Sequence, residues 1–300
     1  MVFQKLLLKN LKHKIKNNIS VIIPCYNYGR YLSEAIQSVL NQTKKPLEII
    51  IADDCSSDNS GKVAKKYVKK YPKLIKYFKN SKNLGIVKNF NKSVLLTKGG
   101  YVCLLGADNR FNKNYLKETS FVLDSIKKIG IVYTDFVLFG PRSEKISLNF
   151  KKNFICEKSN NGTFIVRFPD FTKKTRILQK SLNFIHGSSL YRKSAYLKVG
   201  GYVNLKGTPE DQNLFSRILD EGWDAKRIAE PLLEYRQHSI NQANIKLQRQ
   251  QLKEHYESKH INLQELYDNS EELKKIKDSK LYTLWIFYNK IKKNFIKIDN

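Results

Sequence analysis

The 300-residue chain predicts an α/β fold, with a mostly parallel sheet flanked by helices and a helical extension at the C-terminus. Three observations lead there. Short apolar runs alternate with stretches of helical periodicity through the first half of the chain. Those runs are continuous rather than alternating, as in strands buried on both faces. Asp53, Asp54 and Asp108 fall just past the ends of such runs, where ligands bind in parallel sheets.

The elements follow in order. Residues 19–24 (Ile-Ser-Val-Ile-Ile-Pro) form a strand, and Tyr31, Leu32, Ala35, Ile36, Val39 and Leu40 set the period of a helix over 30–42. A second strand covers 47–52. Asp58 caps a helix that runs to about Tyr71, and a third strand covers 74–78. A helix from Ile86 to Thr97 stops at Gly99-Gly100, before a strand over 101–105. The second half is less regular. Residues 131–139 and 184–191 read as strands, and 140–181 as a basic, loop-rich stretch. Thr208 caps the next helix, with Pro209 as its first residue and Asp211 at the third position, able to reach back as in a capping box. Residues 232–237 form a last short strand, and from Ser239 the pattern is helical and highly charged. The chain divides into a basic arm (1–17), a central body (18–240) and a basic helical extension (241–300).

At 41% hydrophobic the chain can bury a large core. Its net charge of +28 favours anionic partners, among them nucleic acid, an anionic membrane and nucleotide-sugar phosphates. Lys, Asn and Ile are abundant together, so part of the charge reflects composition. The basic residues read as spread along the chain, and no RRM, KH or zinc-finger pattern is present, so no nucleic-acid partner is expected. The cysteines at 25, 55, 103 and 156 show no CxxC spacing, which points to free thiols in a reducing setting and away from zinc. There is no continuous signal-peptide core and no run of ~20 apolar residues, so the expectation is a cytoplasmic chain, at most peripheral on the cytoplasmic face of a membrane. Residues 1–17 and 280–298 fit basic amphipathic helices lying on an anionic bilayer, and equally helices packed on the body with their lysines in solvent.

Five blocks, in this order, carry a resemblance: "SVIIPCYNYGRYLSEAIQSVLNQT", "EIIIADDCSSDNS", "NLGIVKNFNKSV" with "KGGYVCLLGADN", "GTPEDQNLFSRIL" and "YRQH". Over residues 18–240 the chain resembles the family 2 glycosyltransferases. The resemblance implies the GT-A fold and transfer of a sugar, with inversion, from a nucleotide-diphosphate donor, a UDP-sugar first. The acceptor it implies is a hydroxyl of a glycan or lipid-linked molecule in cell-surface polysaccharide synthesis.

The chemistry asks for particular residues. A nucleotide base needs a flat surface and an edge partner; stacking on an aromatic ring is worth ~1–3 kcal/mol per base. Tyr26 and Asp54 can supply these, and the resemblance adds Pro24, Asn27 and Ala107 to the nucleotide site. Asp53 and Asp54 also suit a turn or helix entry, with Ser56, Ser57 and Asp58 competing for the cap. A leaving diphosphate is stabilised by Mg²⁺ or Mn²⁺, held by one or two carboxylates plus phosphate oxygens. Asp108 is the carboxylate, or else an Asx-turn residue. The family's Asp-x-Asp is here Gly106-Ala107-Asp108, which keeps the metal-side carboxylate and puts ribose recognition in doubt. By resemblance His238 joins the metal or diphosphate, although a lone His is more often structural. Asp211 is the general base, worth ~10²–10⁴-fold, unless it serves the helix start alone. The resemblance implies that Asn109, His186, Gly187, Ser188, Glu210 and Arg236 complete the substrate pocket, although a Gly-Ser turn explains 186–188 equally well.

Two other readings compete. A non-catalytic nucleotide-sugar-binding relative is favoured by Gly106 and opposed by Asp211. A sugar nucleotidyltransferase would need a glycine-rich loop where Pro24-Cys25-Tyr26-Asn27 stands.

Overall fold

Apolar runs that do not alternate bury on both faces, and β1 (Ile19–Cys25), β2 (Glu48–Asp53) and β4 (Tyr101–Leu104) are buried almost throughout. The computed structural model describes residues 18–238 except residue 206; the basic arm and the extension lie outside the described residues. With β3 (Ile75–Lys79) these strands make a parallel block in the order β3-β2-β1-β4. Beyond it, β9 (Leu190–Arg192) runs antiparallel between β4 and β6 (Ile129–Phe139). Next comes β10 (Asp224–Arg236), parallel to β6, and β5 (Arg110–Phe111) closes the order antiparallel to β10. A hairpin of β7 (Ile155–Lys158) and β8 (Phe164–Arg167) hangs on β6.

Helices flank this sheet. α1 (Gly29–Leu40) turns Leu32, Ala35, Ile36 and Val39 inward, the i, i+3, i+4, i+7 spacing of a one-sided helix. α2 (Ser60–Lys70) packs beside it, where Ser33 Oγ and Gln37 Nε2 lie 2.7 and 2.9 Å from the Tyr67 hydroxyl. Asp58 ties the two helix starts together, accepting from Ser60 N at 2.9 Å and from Gly29 N at 2.8 Å. α3 (Ile86–Leu95), α4 (Tyr115–Ser125), α5 (Ser143–Phe150), α6 (Lys173–Leu178), α7 (Lys193–Lys198) and α8 (Glu210–Asp220) complete the described helices.

Four expectations need correction. The stretch 140–181 is not mainly loop, since it holds α5, β7, β8 and α6, the last capped by Thr172. Residues 184–189 are not strand: the amides of Phe184 and Ile185 both donate to Gln179 Oε1, and Ser189 N closes a turn on His186 O, so a buried loop mimics a strand. The strand at 232–237 is only the tail of the 13-residue β10, whose first half is polar and is interrupted at Pro231, where two register shifts absorb the missing N–H. Thr208 does not cap α8; the helix begins after Pro209 without a side-chain cap, because Asp211 turns its carboxylate to Asn183 instead of back to the start.

Candidate functional site

The ends of β1 and β2 are joined by Asp54 N donating to Cys25 O at 2.9 Å. The two adjacent aspartates then diverge. Asp53 is structural, accepting from the Tyr77 hydroxyl at 2.6 Å and from Ser56 N at 2.7 Å. Asp54 accepts from Asn80 Nδ2, Leu84 N and Gly85 N at 2.8–2.9 Å, which binds it to the loop ahead of α3. A carboxylate has about four acceptor positions, so three bonds leave Asp54 one. Across the junction Tyr26 is 46% exposed, an open ring beside a nearly buried carboxylate. Asn27 holds that junction in shape. Its φ of 59° is left-handed, its N–H donates to Ser56 Oγ and its Oδ1 accepts from Ser57 N. Pro24 is half-buried within β1.

β4 ends in a turn, with Asn109 N donating to Gly106 O at 2.9 Å. A Cβ on Gly106 would come within 2.8 Å of Asn109 Nδ2 and 2.9 Å of Asp108 Oδ1, so the space for a first Asp is filled by its neighbours. Ala107 is buried, and Asn109 is 5% exposed, with its Oδ1 accepting from Arg236 N at 3.0 Å. Because β5 pairs with β10, this turn lies against the end of β10. There His238 Nε2 is 2.8 Å from Asp108 Oδ2, and its Nδ1 is 3.1 Å from the Tyr31 hydroxyl. Arg236 clamps the arrangement. Its Nε donates to Asp108 O and its Nη2 to Glu34 Oε2 at 2.6 Å, while its guanidinium lies 4.5 Å from the centres of both Tyr31 and Phe139.

The third part is the start of α8. Asp211 Oδ1 accepts from Gln212 N at 2.8 Å and Asn183 Nδ2 at 3.0 Å. Burial pushes the carboxyl of Asp211 above its ordinary range, against the pull of these bonds. Glu210 is raised as well, by burial and then by the charge of Asp211. Gly187 faces Asp211 closely, and Ser188 is nearly buried, its carbonyl taking the Tyr115 hydroxyl. Burial drives His186 down to about 4, so the ring is neutral at physiological pH. Its Nε2 sits 3.1 Å from Thr134 O and therefore carries the proton, which leaves the buried Nδ1 as an acceptor with no partner among the described residues.

One ring relates these parts. The Tyr235 hydroxyl is pushed up by desolvation and then by the charges of Asp108 and Asp211, although 40% of the residue is exposed. Its ring lies 5.5 Å from that of Phe136, which lies 6.0 Å from that of His186, next to Gly187 and Asp211. Asp108 with His238 at the end of β4, and Asp211 with Glu210 at the start of α8, are thus both within electrostatic reach of Tyr235 on β10. Asp54 stands two strands away from β4, about 10 Å by inter-strand spacing. Sequence reasoning missed Tyr235, Asn183, Tyr31 and Glu34. Tyr235 lay inside the "YRQH" block and was legible there; Asn183 carried no local signal.

Comparison with known proteins gives the family and the fold. Residues 20–200 match the family model described as glycosyl transferase family 2. The putative glycosyltransferase EpsE of Bacillus subtilis is 28% identical over 224 residues, covering 74% of this chain and 73% of EpsE. Among solved structures, S. aureus TarS 1-349 in complex with UDP is 18% identical with a TM-score of 0.57, over 73% of this chain and 60% of that one. The mannosyltransferase PcManGT from Pyrobaculum calidifontis, in complex with GDP-Man and Mn²⁺, is 14% identical with a TM-score of 0.57, over 87% and 71%. At these identities the solved structures speak for the fold, which is GT-A.

Proposed function

Because this chain belongs to glycosyl transferase family 2, we propose that it is an inverting sugar transferase that takes a nucleotide-diphosphate donor, a UDP-sugar first, and a hydroxyl of a glycan or lipid-linked acceptor in cell-surface polysaccharide synthesis. The observation that carries the reading is the Asp108–His238 pair at the end of β4, together with an Asp211 carboxylate held between Asn183 and Gly187. The complexes of TarS with UDP and with UDP-GlcNAc, and of PcManGT with GDP-Man, support a nucleotide sugar as ligand. The base stacks on Tyr26 and offers an N–H to the fourth acceptor position of Asp54. The diphosphate lies at the end of β4.

Asp108 and His238 fit a divalent ion. One carboxylate oxygen and one imidazole nitrogen already converge, and the remaining positions suit diphosphate oxygens and water. The nitrogen ligand suits Mn²⁺ better than Mg²⁺. Bound there, the ion would neutralise the charge that builds on the departing diphosphate. Asp211 takes the proton of the acceptor hydroxyl as its oxygen bonds to the anomeric carbon and the nucleoside diphosphate leaves from the opposite side. Inversion follows from that single displacement.

Thermal melting with UDP-, GDP- and dTDP-sugars, with and without Mn²⁺, tests donor binding, since a tight ligand raises the midpoint. One nucleotide class should stabilise the protein, and Mn²⁺ should increase the effect. Asp108→Ala should lose the Mn²⁺ increment. Asp211→Asn should keep the donor shift while turnover falls ~10²-fold or more. No stabilisation by any nucleotide sugar would remove the reading, and near-full turnover of Asp211→Asn would remove the base.

A further inference from the structure

Residues 59–107 contain twelve lysines and no Asp, Glu or Arg. Basic residues that read as evenly spread along the sequence are gathered by the fold. On α2, Lys62, Lys65, Lys66, Lys69 and Lys70 fall within one face of roughly 140° at helical spacing. All five are exposed, while Val63, Ala64, Tyr67 and Val68 turn toward the protein. Of the twelve lysines, Lys76 alone is in an ion pair among the described residues, with Glu48. Among the described residues the face is therefore a stripe of uncompensated charge. It runs into a groove of about 320 Å³ in which Gln37 of α1 and Asn41, just past its end, stand opposite Lys66, Tyr67 and Lys70. The groove lies at the C-terminal ends of α1 and α2. These helices run antiparallel to the parallel block, so that end is opposite the candidate site.

We infer that the outer face of α2 and the adjoining groove dock on a bilayer containing anionic phospholipids, with lipid phosphates taken between Lys66 and Lys70 and the candidate site left open. Charge complementarity selects this occupant. Lysines on flexible stems meet a diffuse layer of phosphate as point charges and need no fixed fork geometry. A nucleic acid would be met instead by arginine forks and open rings for stacking, whereas this face carries no arginine, and Tyr67 and Tyr71 are half-buried. The inference does not depend on sugar transfer.

Sedimentation of the full chain with vesicles tests it, comparing phosphatidylcholine alone with phosphatidylcholine mixed with phosphatidylglycerol. The protein should pellet only with the mixed vesicles, and added salt should release it. A variant with Lys65→Glu, Lys66→Glu, Lys69→Glu and Lys70→Glu is compared with a charge-matched control carrying Lys151→Glu, Lys152→Glu, Lys173→Glu and Lys174→Glu, exposed lysines away from α2. Each lysine near such a surface contributes roughly fivefold in partitioning, so the α2 variant should lose a hundredfold or more (~10²) while the control loses about tenfold or less. Both should melt as the parent does. Equal loss in the two variants would overturn the proposal in favour of bulk charge, and no loss in either would assign membrane contact elsewhere. Tighter binding of duplex DNA than of vesicles, lost in the α2 variant, would give the face to nucleic acid.

Discussion

Asp211 occupies the space that a side chain at position 187 would need: a Cβ on Gly187 would lie 3.0 Å from Asp211 Oδ2. The absence of that carbon is thus part of how the proposed base is placed. Gly187→Ala should move the carboxylate by a few tenths of an ångström, and since misplacements near 1 Å cost ~10²-fold, turnover should fall about tenfold with the donor KM kept. A parent-like turnover would show that the carboxylate has room to spare. The same group sets the pH dependence. Burial raises its pKa, and a base works only when ionised, so the acid limb of kcat/KM should lie above the ordinary Asp value of ~3.9 and activity should rise with pH through it. Asn183 lowers that pKa by donating to Oδ1. Asn183→Ala should therefore move the limb to higher pH, and a limb that stays in place would detach Asn183 from the base.

At the scale of elements, the parallel block was legible because its strands are buried on both faces and read as unbroken apolar runs; Val21, Ile22 and Ile23 in β1 and Ile49, Ile50 and Ile51 in β2 are all fully buried. β10 was largely hidden, since Lys226, Glu230 and Pro231 break any strand period, and its pairing is held by side chains far off in sequence. The strongest of these is Asp135 on β6. It is fully buried, accepts from Arg227 Nε at 2.9 Å and Nη2 at 2.8 Å, and takes Phe168 N at 3.0 Å. Nothing around Asp135 in the sequence marks it, because all its partners lie more than 30 residues away. Asp135→Ala would leave Arg227 only the exposed Asp170, at 3.3 Å, so it should cost about 3 kcal/mol in urea unfolding, the low end for a broken buried pair. A cost below about 1 kcal/mol would mean that packing alone holds β6 to β10. Because β10 delivers Arg236 and His238 to Asp108, the variant should also weaken the Mn²⁺ response.

For the molecule as a whole, the site was legible where its residues lie in strand-end blocks and obscure where the fold alone joins them: His238 and Asp108 meet across 130 positions, and Asp211 is held by Asn183 and Gly187 from another part of the chain. The placing of Asp211 has a thermodynamic consequence. Glu210 and Asp211 stand side by side at the start of α8, both raised, chiefly by burial. A carboxyl whose folded pKa lies above its unfolded value holds its proton more tightly when folded, so ionising it opposes folding. The penalty is absent below the unfolded pKa, ~4.3 for Glu, and is present in full above the raised folded value. Glu210→Gln, which removes one of the two charges and keeps the side-chain shape, should therefore raise the urea midpoint at neutral pH. Its advantage over the parent should shrink as the pH falls through the raised pKa and vanish below ~4. The unfolding slope should not change, since the surface exposed is the same. An advantage that grew on acidification would mean that Glu210 is held ionised by the fold, and the start of α8 would then be a stabilised anion pair rather than a place where folding stability is given up to keep a base in a partly dry site.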